Sequence, residues 1–392
     1  MIQLETVKPI SPALMEEVGM TWHTDPDGQP YVAAEIVVVT EAEAEAYYNA
    51  ANELYDMYVA AAQYVIDHDR FLELDIPYNL VDHIRRSWEN DHRHLYGRFD
   101  FAGGVDGLPI KLIEFNADTP TSLFETAIVQ WALLKANGMN EAAQFNTVYA
   151  SLVKNFRRLV TGENDPDRFG EYYRYQNILF SSIRGLPEDE QTVRFLQHLA
   201  NDAGFQTDFC YMDEVGFLEE QGIFNPQQTR FDYWFKLYPW EDIALQTDGI
   251  NGILDDITRN TTTVILNPAY TLLFQSKGIL KVLYELFPDS PYLLETRSER
   301  LHGKKQVAKK LFGREGANVS IYDAAGKLLT QTLGEYDRYH TIYQAFAAYP
   351  KDSQGRSYQA GVFFAWEGCG LGFRRGGEIL DNLSKFVAHR VR

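Results

Sequence analysis

The sequence predicts a mixed protein, α/β or α+β, with several sheets. Three observations predict it. Residues 178–211 alternate strand, helix and strand (ILFSSIRG, PEDEQTVRFLQHLANDAGF, TDFCYM), a rhythm that builds open, partly parallel sheets. Residues 98–116 read as a hairpin around a Gly- and Pro-containing turn. Residues 41–67 carry Ala, Leu, Met and Tyr at helical spacing, with acids crowding the first turn. No repeat, low-complexity tract or heptad array interrupts this pattern.

In chain order, YVAAEIVVV (31–39) is an expected strand running into the long scaffold helix, and YNLVDHIRRSWEND is a second helix leading to the hairpin. In the hairpin, period-2 alternation sets Arg98 and Asp100 on one face and Phe99 and Phe101 on the other. On the return strand Leu112, Glu114 and Asn116 are expected to share a face, with Ile113 and Phe115 opposite. From Ser122 to Arg158 the text reads as helical again, in LFETAIVQWALLKANG and then in EAAQFNTVYASLVKNFRRLV. A charged linker, TGENDPDRFGE, precedes the β–α–β segment. FDYWFKLYPWE (231–241) reads as an aromatic strand with one lysine in it. TTVILNPAYTLLFQSKGILKVLYELFP reads as strand, loop and helix, VAKKLFGREGANVSIYDAAGKLL as two strands around a Gly-containing loop, and GVFFAWEGCGLGFRR as a late hairpin. Rough lobes follow: 1–160 with the charged hairpin and helices, 161–230 with the β–α–β unit, and 231–392 with the lysine strands and flap.

With 392 residues, of which 45% are hydrophobic and 14% aromatic, the chain can bury a large core. A net charge of −19 argues against a nucleic-acid partner, which needs a basic surface. The charged opening MIQLETVKPISPALMEEVG lacks the apolar run of a secretory signal, and no window approaches the roughly 20 apolar residues of a membrane span. Cys210 and Cys369 stand far apart without metal-ligand neighbours, so a cytoplasmic protein with unpaired thiols is expected. His92 and His94, in DHRH, read as the end of a helix.

The groups that could carry chemistry are scattered. Asp100, Glu114 and Asn116 offer the oxygen donors that Mg²⁺ takes, commonly beside nucleotide phosphates. Two carboxylates on adjacent strands repel unless a positive charge lies between them, and Arg98 could supply it, so a salt-bridged sheet face explains the pattern equally. Lys236, among Phe, Trp and Tyr, needs either a bound anion or an edge strand from which its stem can snorkel. Lys277 opens a helix in QSKGIL, and Lys309 ends a strand before Gly313-Arg314-Glu315-Gly316, a Gly-x-x-Gly loop able to lie close over phosphates or simply to turn a hairpin. Arg374 ends the late hairpin and could meet a transferred phosphoryl group. Together these are the parts of a nucleotide site.

In this order, RFDF…KLIEFNADTPTS, WFKLYPWE, SKGILKVLYELFP, VAKKLFGREGANV and GLGFRR followed by LDNLSKFVAH resemble the synthetase domain of the glutathionylspermidine synthetase family, in particular its stand-alone bacterial members, from about residue 30 onward. The resemblance implies an ATP-grasp fold, two small lobes clasping the nucleotide, circularly permuted so that the metal carboxylates precede the ATP lysines. It implies that Asp100, Glu114 and Asn116 hold Mg²⁺. Lys236, Lys277, Lys309 and the flap Gly313, Arg314 and Gly316 would hold ATP, while Arg98 and Arg374 would meet phosphate in catalysis. Thr119 and Thr121 would lie by a thiol peptide, with Glu188, Asp189 and, more distantly, Asp381 or Asn382 by a cationic amine. Lys310 stands where a Pro is expected and Glu315 where the loop is usually small or neutral. No Cys/His signature of the amidase domain of bifunctional members is present, so hydrolysis of the product amide is not expected.

The implied reaction is amide formation from a carboxylate-bearing peptide and an amine through an acylphosphate, which requires no side-chain nucleophile and relies on positioning and charge neutralisation. The alternatives are a nucleotide-binding protein of the same fold without ligase activity, and a phosphotransferase.

Overall fold

The computed structural model describes residues 1–247 and 249–392. A seven-stranded sheet carries the hairpin. Its strands run in the order Leu4–Thr6, Val32–Val39, Lys385–Val391, Glu367–Gly376, Ser357–Ala365, Gly97–Ala102 and Lys111–Asn116, all neighbours antiparallel except the parallel pair Val32–Val39 and Lys385–Val391. A four-stranded parallel sheet orders Val264–Leu266, Tyr233–Lys236, Asn177–Ser182 and Gln206–Tyr211, as the β–α–β rhythm predicts. A five-stranded sheet holds Thr296–Arg297, Thr341–Ala345, Gln306–Lys310, Ser320–Tyr322 and Leu328–Gln331. A small three-stranded sheet spans Gly216–Leu218, Gly222–Phe224 and Arg230–Phe231.

The long helix occupies Glu41–Asp67, starting at a capping box in which Thr40 accepts from the Glu43 amide (3.2 Å) and the Glu43 carboxylate accepts from the Thr40 amide (2.8 Å). Its Tyr47, Leu54 and Tyr58 are buried against Phe99, Phe101 and Phe115 of the hairpin. Phe99 stacks on Phe115 with ring centroids 3.8 Å apart, and Tyr58 meets Phe115 edge-on at 5.2 Å. This aromatic layer closes one face of the hairpin, which leaves the charged residues to the other.

The hairpin alternation holds only in part. Asp100 stands opposite Glu114 and Arg98 opposite Asn116, but Phe101 pairs with Leu112, so a bulge falls at Ile113. Leu112 therefore joins the aromatic core, and Ile113 stands with Glu114 on the charged side, the reverse of the strict alternation for these two residues. Three further expectations are corrected. The second helical stretch starts later than expected: a π-helical turn (Glu125–Val129) runs into Gln130–Ala136, but the next helix is Val148–Thr161 and does not begin at Glu141. Between them the chain pairs with the late hairpin, Thr147 donating its amide to the Cys369 carbonyl at 2.7 Å. The aromatic strand stops at Lys236, and Trp240–Ile243 form a short helix. Finally, the lysine strand is not an edge, since Tyr233–Lys236 lies between two partners.

Lys236 is fully buried there. Its ammonium pairs with Asp118 (3.1 Å), donates to the Tyr238 carbonyl (2.8 Å) and sits 4.6 Å from the centre of the Trp240 ring. Asp118 also accepts from the Trp240 amide at 2.9 Å. The anion that a buried ammonium requires is thus internal, and it ties the four-stranded sheet to the loop after the charged hairpin. Cys210 and Cys369 are unpaired and buried, as expected. Among the described residues no helix is long and apolar enough to cross a membrane.

Removing one partner of the buried pair strands the other charge. Lys236→Met is expected to lower the unfolding free energy by about 3–5 kcal/mol, and adding Asp118→Asn to restore part of the loss. Urea unfolding of the two variants measures both.

Candidate active site

The charged face of the hairpin forms one wall of a cavity of about 370 Å³, and the five-stranded sheet with its flap forms the facing wall. Arg98 grips Asp100 with two bonds, Nε to Oδ1 at 2.6 Å and Nη2 to Oδ2 at 3.0 Å, and donates a third to the Thr121 carbonyl at 2.6 Å. Asn116 donates to the same carboxylate at 3.1 Å. Glu114, directly across the ladder from Asp100, is met instead by Lys277 at 3.1 Å. Burial pushes the Glu114 carboxyl up, but Lys277, Lys309 and Arg98 outweigh it and hold the group down at about 2. The side chains show the salt-bridged reading of the hairpin: Arg98 neutralises one carboxylate, and a lysine from the second half of the chain neutralises the other.

Lys277 also donates to the Gly313 carbonyl at 2.6 Å, and so holds the flap beside the hairpin. Lys309 donates to Gln344 Oε1 at 2.8 Å and to the Ile113 carbonyl at 3.3 Å. Burial drives its amine down to about 8, with Glu114 opposing the shift. In the flap, Arg314 bridges Thr119 Oγ1 (3.0 Å) and Glu241 Oε1 (2.5 Å). Gly316 is required twice over. Its φ of +69° lies in the left-handed region, and a Cβ there would stand 2.1 Å from the Leu380 carbonyl oxygen.

Of the residues singled out in the sequence, Arg98, Asp100, Glu114, Asn116, Thr119, Thr121, Glu188, Lys277, Lys309, Gly313, Arg314, Gly316 and Arg374 all line this one cavity, together with Asn382. Lys236, Asp189 and Asp381 do not line it. Lys236 stands behind the wall with Asp118, and Asp381 turns its carbonyl to Arg374 Nη2 at 2.7 Å. Burial, Glu125 and Asp189 push the Glu188 carboxyl up to about 8, while burial moves Asp189 up to about 6. Among the described residues no three His, Cys, Asp or Glu side chains cluster as a metal site, and the hairpin set itself has two carboxylates and an amide.

Sequence reasoning missed several residues. Gln344 positions Lys309, Glu241 anchors Arg314, Tyr31 and Tyr349 line the cavity, and the buried Glu125 lies behind it. A lone acid inside an apolar run, Glu125 in SLFETAIV, was the one legible signal.

The family model for the glutathionylspermidine synthase preATP-grasp region matches residues 2–392. The chain belongs to the glutathionylspermidine synthase family. This family of ATP-dependent ligases includes a putative acid–amine ligase of Haemophilus influenzae, 30% identical over 333 residues that span 80% of this chain and 79% of the relative. The bifunctional glutathionylspermidine synthetase/amidase of Escherichia coli is 25% identical over 404 residues, 96% of this chain but 61% of the relative. The trypanothione synthetase of Crithidia fasciculata is 24% identical over 362 residues, 87% of this chain and 54% of that protein. Among solved structures, a glutathione synthetase-like effector from Globodera pallida in its apo form superposes with a TM-score of 0.54 at 9% identity, covering 99% of this chain and 100% of the effector. That likeness concerns the fold alone.

The depressed Lys309 amine makes a direct prediction. An amine-reactive label quenched after a short pulse should modify Lys309 with a midpoint near pH 8, against about 10.4 for an ordinary lysine. Mass mapping of the labelled peptides reads the difference, and Gln344→Leu should change the Lys309 midpoint while leaving those of exposed lysines where they were.

Proposed function

We propose that the chain is an ATP- and Mg²⁺-dependent carboxylate–amine ligase of a circularly permuted ATP-grasp fold, joining a glutathione-like peptide to a polyamine or related amine. The observation that carries this reading is the meeting of the hairpin carboxylates with Lys277, Lys309 and the Gly313–Gly316 flap around one cavity, although they lie far apart in sequence. The permutation accords with the order along the chain, carboxylates at 100 and 114 preceding lysines at 277 and 309.

The donor set fits Mg²⁺. Asp100 and Glu114 face each other across one ladder position, Glu114 is held ionised, and Asn116 adds a third oxygen. These three would hold the ion, whose chemistry there is charge neutralisation on triphosphate oxygens. The cations that neutralise the carboxylates now, Arg98 and Lys277, become available to phosphate once the carboxylates have another partner. Lys277 and Lys309 would bind the nucleotide phosphates, and the flap amides around Gly316 could approach them because glycine carries no side chain there. Arg98 and Arg374, which line the same cavity, would meet the charge that spreads as a substrate carboxylate attacks the γ-phosphoryl group. The acylphosphate that results is opened by the amine, and the C–N bond replaces the C–O bond to phosphate. Thr119, Thr121 and Glu188 on the same wall suit the peptide and the amine.

ADP release should then require both an acid and an amine. With Mg·ATP, glutathione and spermidine as the first pair, a coupled ADP assay is expected to show turnover that falls to background when either is omitted. ATP binding without turnover across a panel of γ-glutamyl peptides and amines would turn the reading into a nucleotide-binding protein, and phosphate on the acceptor would make it a kinase. Asp100→Ala and Glu114→Ala should each cut kcat by about 10³-fold or more with an unchanged circular-dichroism spectrum. Activity that survived both would remove the metal assignment.

A further inference from the structure

The run Asp91-His92-Arg93-His94 takes no part in the cavity described above. It lines a second one, of about 480 Å³, behind the aromatic layer of the hairpin. Five aromatic side chains line it as well: Tyr55 from the long helix, Trp88 from the helix Val81–Glu89, Tyr270 just before the helix Thr271–Gln275, and Phe364 and Trp366 from the late hairpin. Tyr55 stacks on Phe364 with ring centroids 4.0 Å apart and meets Phe115 of the charged hairpin edge-on at 6.3 Å, while Trp88 meets Tyr270 edge-on at 5.1 Å.

Trp366 is the unusual member. It stands alone between the strands Ser357–Ala365 and Glu367–Gly376 with φ +72°, a backbone region that suits glycine, and 42% of its surface is exposed. A bulky residue keeps such a conformation only where its surroundings fix it, and positions of this kind gather at ligand sites. Here Arg158 and Arg93 fix it, their guanidinium carbons 4.4 and 5.4 Å from the ring centre.

Charge selects the ligand. Arg93 is the one Lys or Arg among the described residues that line this cavity, and it is already engaged, by Glu163 at 2.6 Å and Asp91 at 3.4 Å. Asp56, on the same wall, has neither a hydrogen bond nor an ion pair among the described residues. His92 and His94 add no charge, because burial pulls both imidazoles below their usual range, His94 to about 4. His94 donates from Nε2 to the Ala117 carbonyl at 2.9 Å, which leaves Nδ1 as an acceptor, and that buried atom has no hydrogen-bond partner. Aromatic rings, an uncommitted carboxylate and an unfilled acceptor, with the local cation already paired, favour a positively charged N–H donor over an anion.

We propose that this second cavity binds a primary alkylammonium ion, its charge met by Asp56 and its methylene groups by Trp88 and Tyr270. The inference stands apart from the ligase reading, since it concerns other residues and requires no reaction. The probe is n-butylammonium chloride, titrated into the full chain at pH 7 and constant ionic strength, with saturation-transfer NMR reporting its Kd. n-Butanol, the same chain without the charge, is expected to bind at least about ten-fold more weakly. Trp88→Leu should weaken ammonium binding about ten-fold and Asp56→Asn, at an exposed position, about three-fold. Glu45→Gln, on the same helix but away from the cavity, should leave the Kd where it was. No binding at millimolar probe, equal binding of n-butanol, or binding that both cavity variants leave intact each overturns the proposal. If Trp88→Leu does not fold, Asp56→Asn decides alone. Glu188→Gln, in the first cavity, must leave the Kd unchanged; loss of binding in that variant would place the ammonium there and overturn the proposal equally.

Discussion

Two carboxylates placed directly opposite each other on adjacent strands impose the constraint on which the rest of the site depends. Asp100 and Glu114 share one rung of the hairpin ladder, and their repulsion has to be met within a few ångströms. The chain answers with two cations of different origin. Arg98 comes from the same strand and satisfies Asp100 locally, whereas Lys277 comes from the turn between the helices Thr271–Gln275 and Ile279–Leu286, more than a hundred residues onward, and satisfies Glu114. The second answer has the larger structural effect, because Lys277 also holds the Gly313 carbonyl and thereby brings the flap of the five-stranded sheet over the hairpin. Electrostatic need at one rung closes the cavity between two sheets.

The aromatic layer behind the hairpin makes that need specific. Phe99, Phe101 and Phe115 are buried against the long helix, so neither hairpin strand can slip by one residue without carrying its phenylalanines into the cavity and its charges into the core. The bulge at Ile113 adjusts the pattern without breaking it, adding one apolar surface to the cavity wall while the two carboxylates remain opposed. Arg314 is positioned in the same manner from a distance, by Glu241 on a short helix of the neighbouring segment. Strong side-chain partners, more than backbone regularity, define the site.

Much of this was legible in the sequence, and what was not shares a physical cause. The period-2 pattern of 98–101 was readable because each strand residue reports its own face. The place of Leu112 and Ile113 was not, since a bulge depends on how a partner strand is registered. The alternating β–α–β text at 178–211 gave a parallel sheet, but the Tyr233–Lys236 strand that joins it as an interior member lies outside that text. Lys236 could be recognised as needing an anion; that the anion is Asp118 is a long-range fact with no local trace. The late start of the helix Val148–Thr161 was hidden for a related reason, because residues such as Thr147 satisfy their backbone on the late hairpin and give up helix for it. Glu125 falls in text that reads as helical, and the π-helical turn it opens leaves no periodic signature of its own.

The order of strands in the large sheet bears on how the molecule is made. Lys385–Val391 lies between Val32–Val39 and Glu367–Gly376, and the charged hairpin joins the sheet only through Ser357–Ala365. A nascent chain emerging from the ribosome therefore presents its acidic hairpin long before the strands that flank it exist, and sheet closure waits on pairings separated by more than three hundred residues. Until then the phenylalanine layer can rest on the long helix, which is translated earlier and needs only local contacts. The sheet that carries the cavity wall is thus among the last parts of the molecule to be completed during translation, and Lys277 and the flap reach the polypeptide exit before the sheet they close upon is whole.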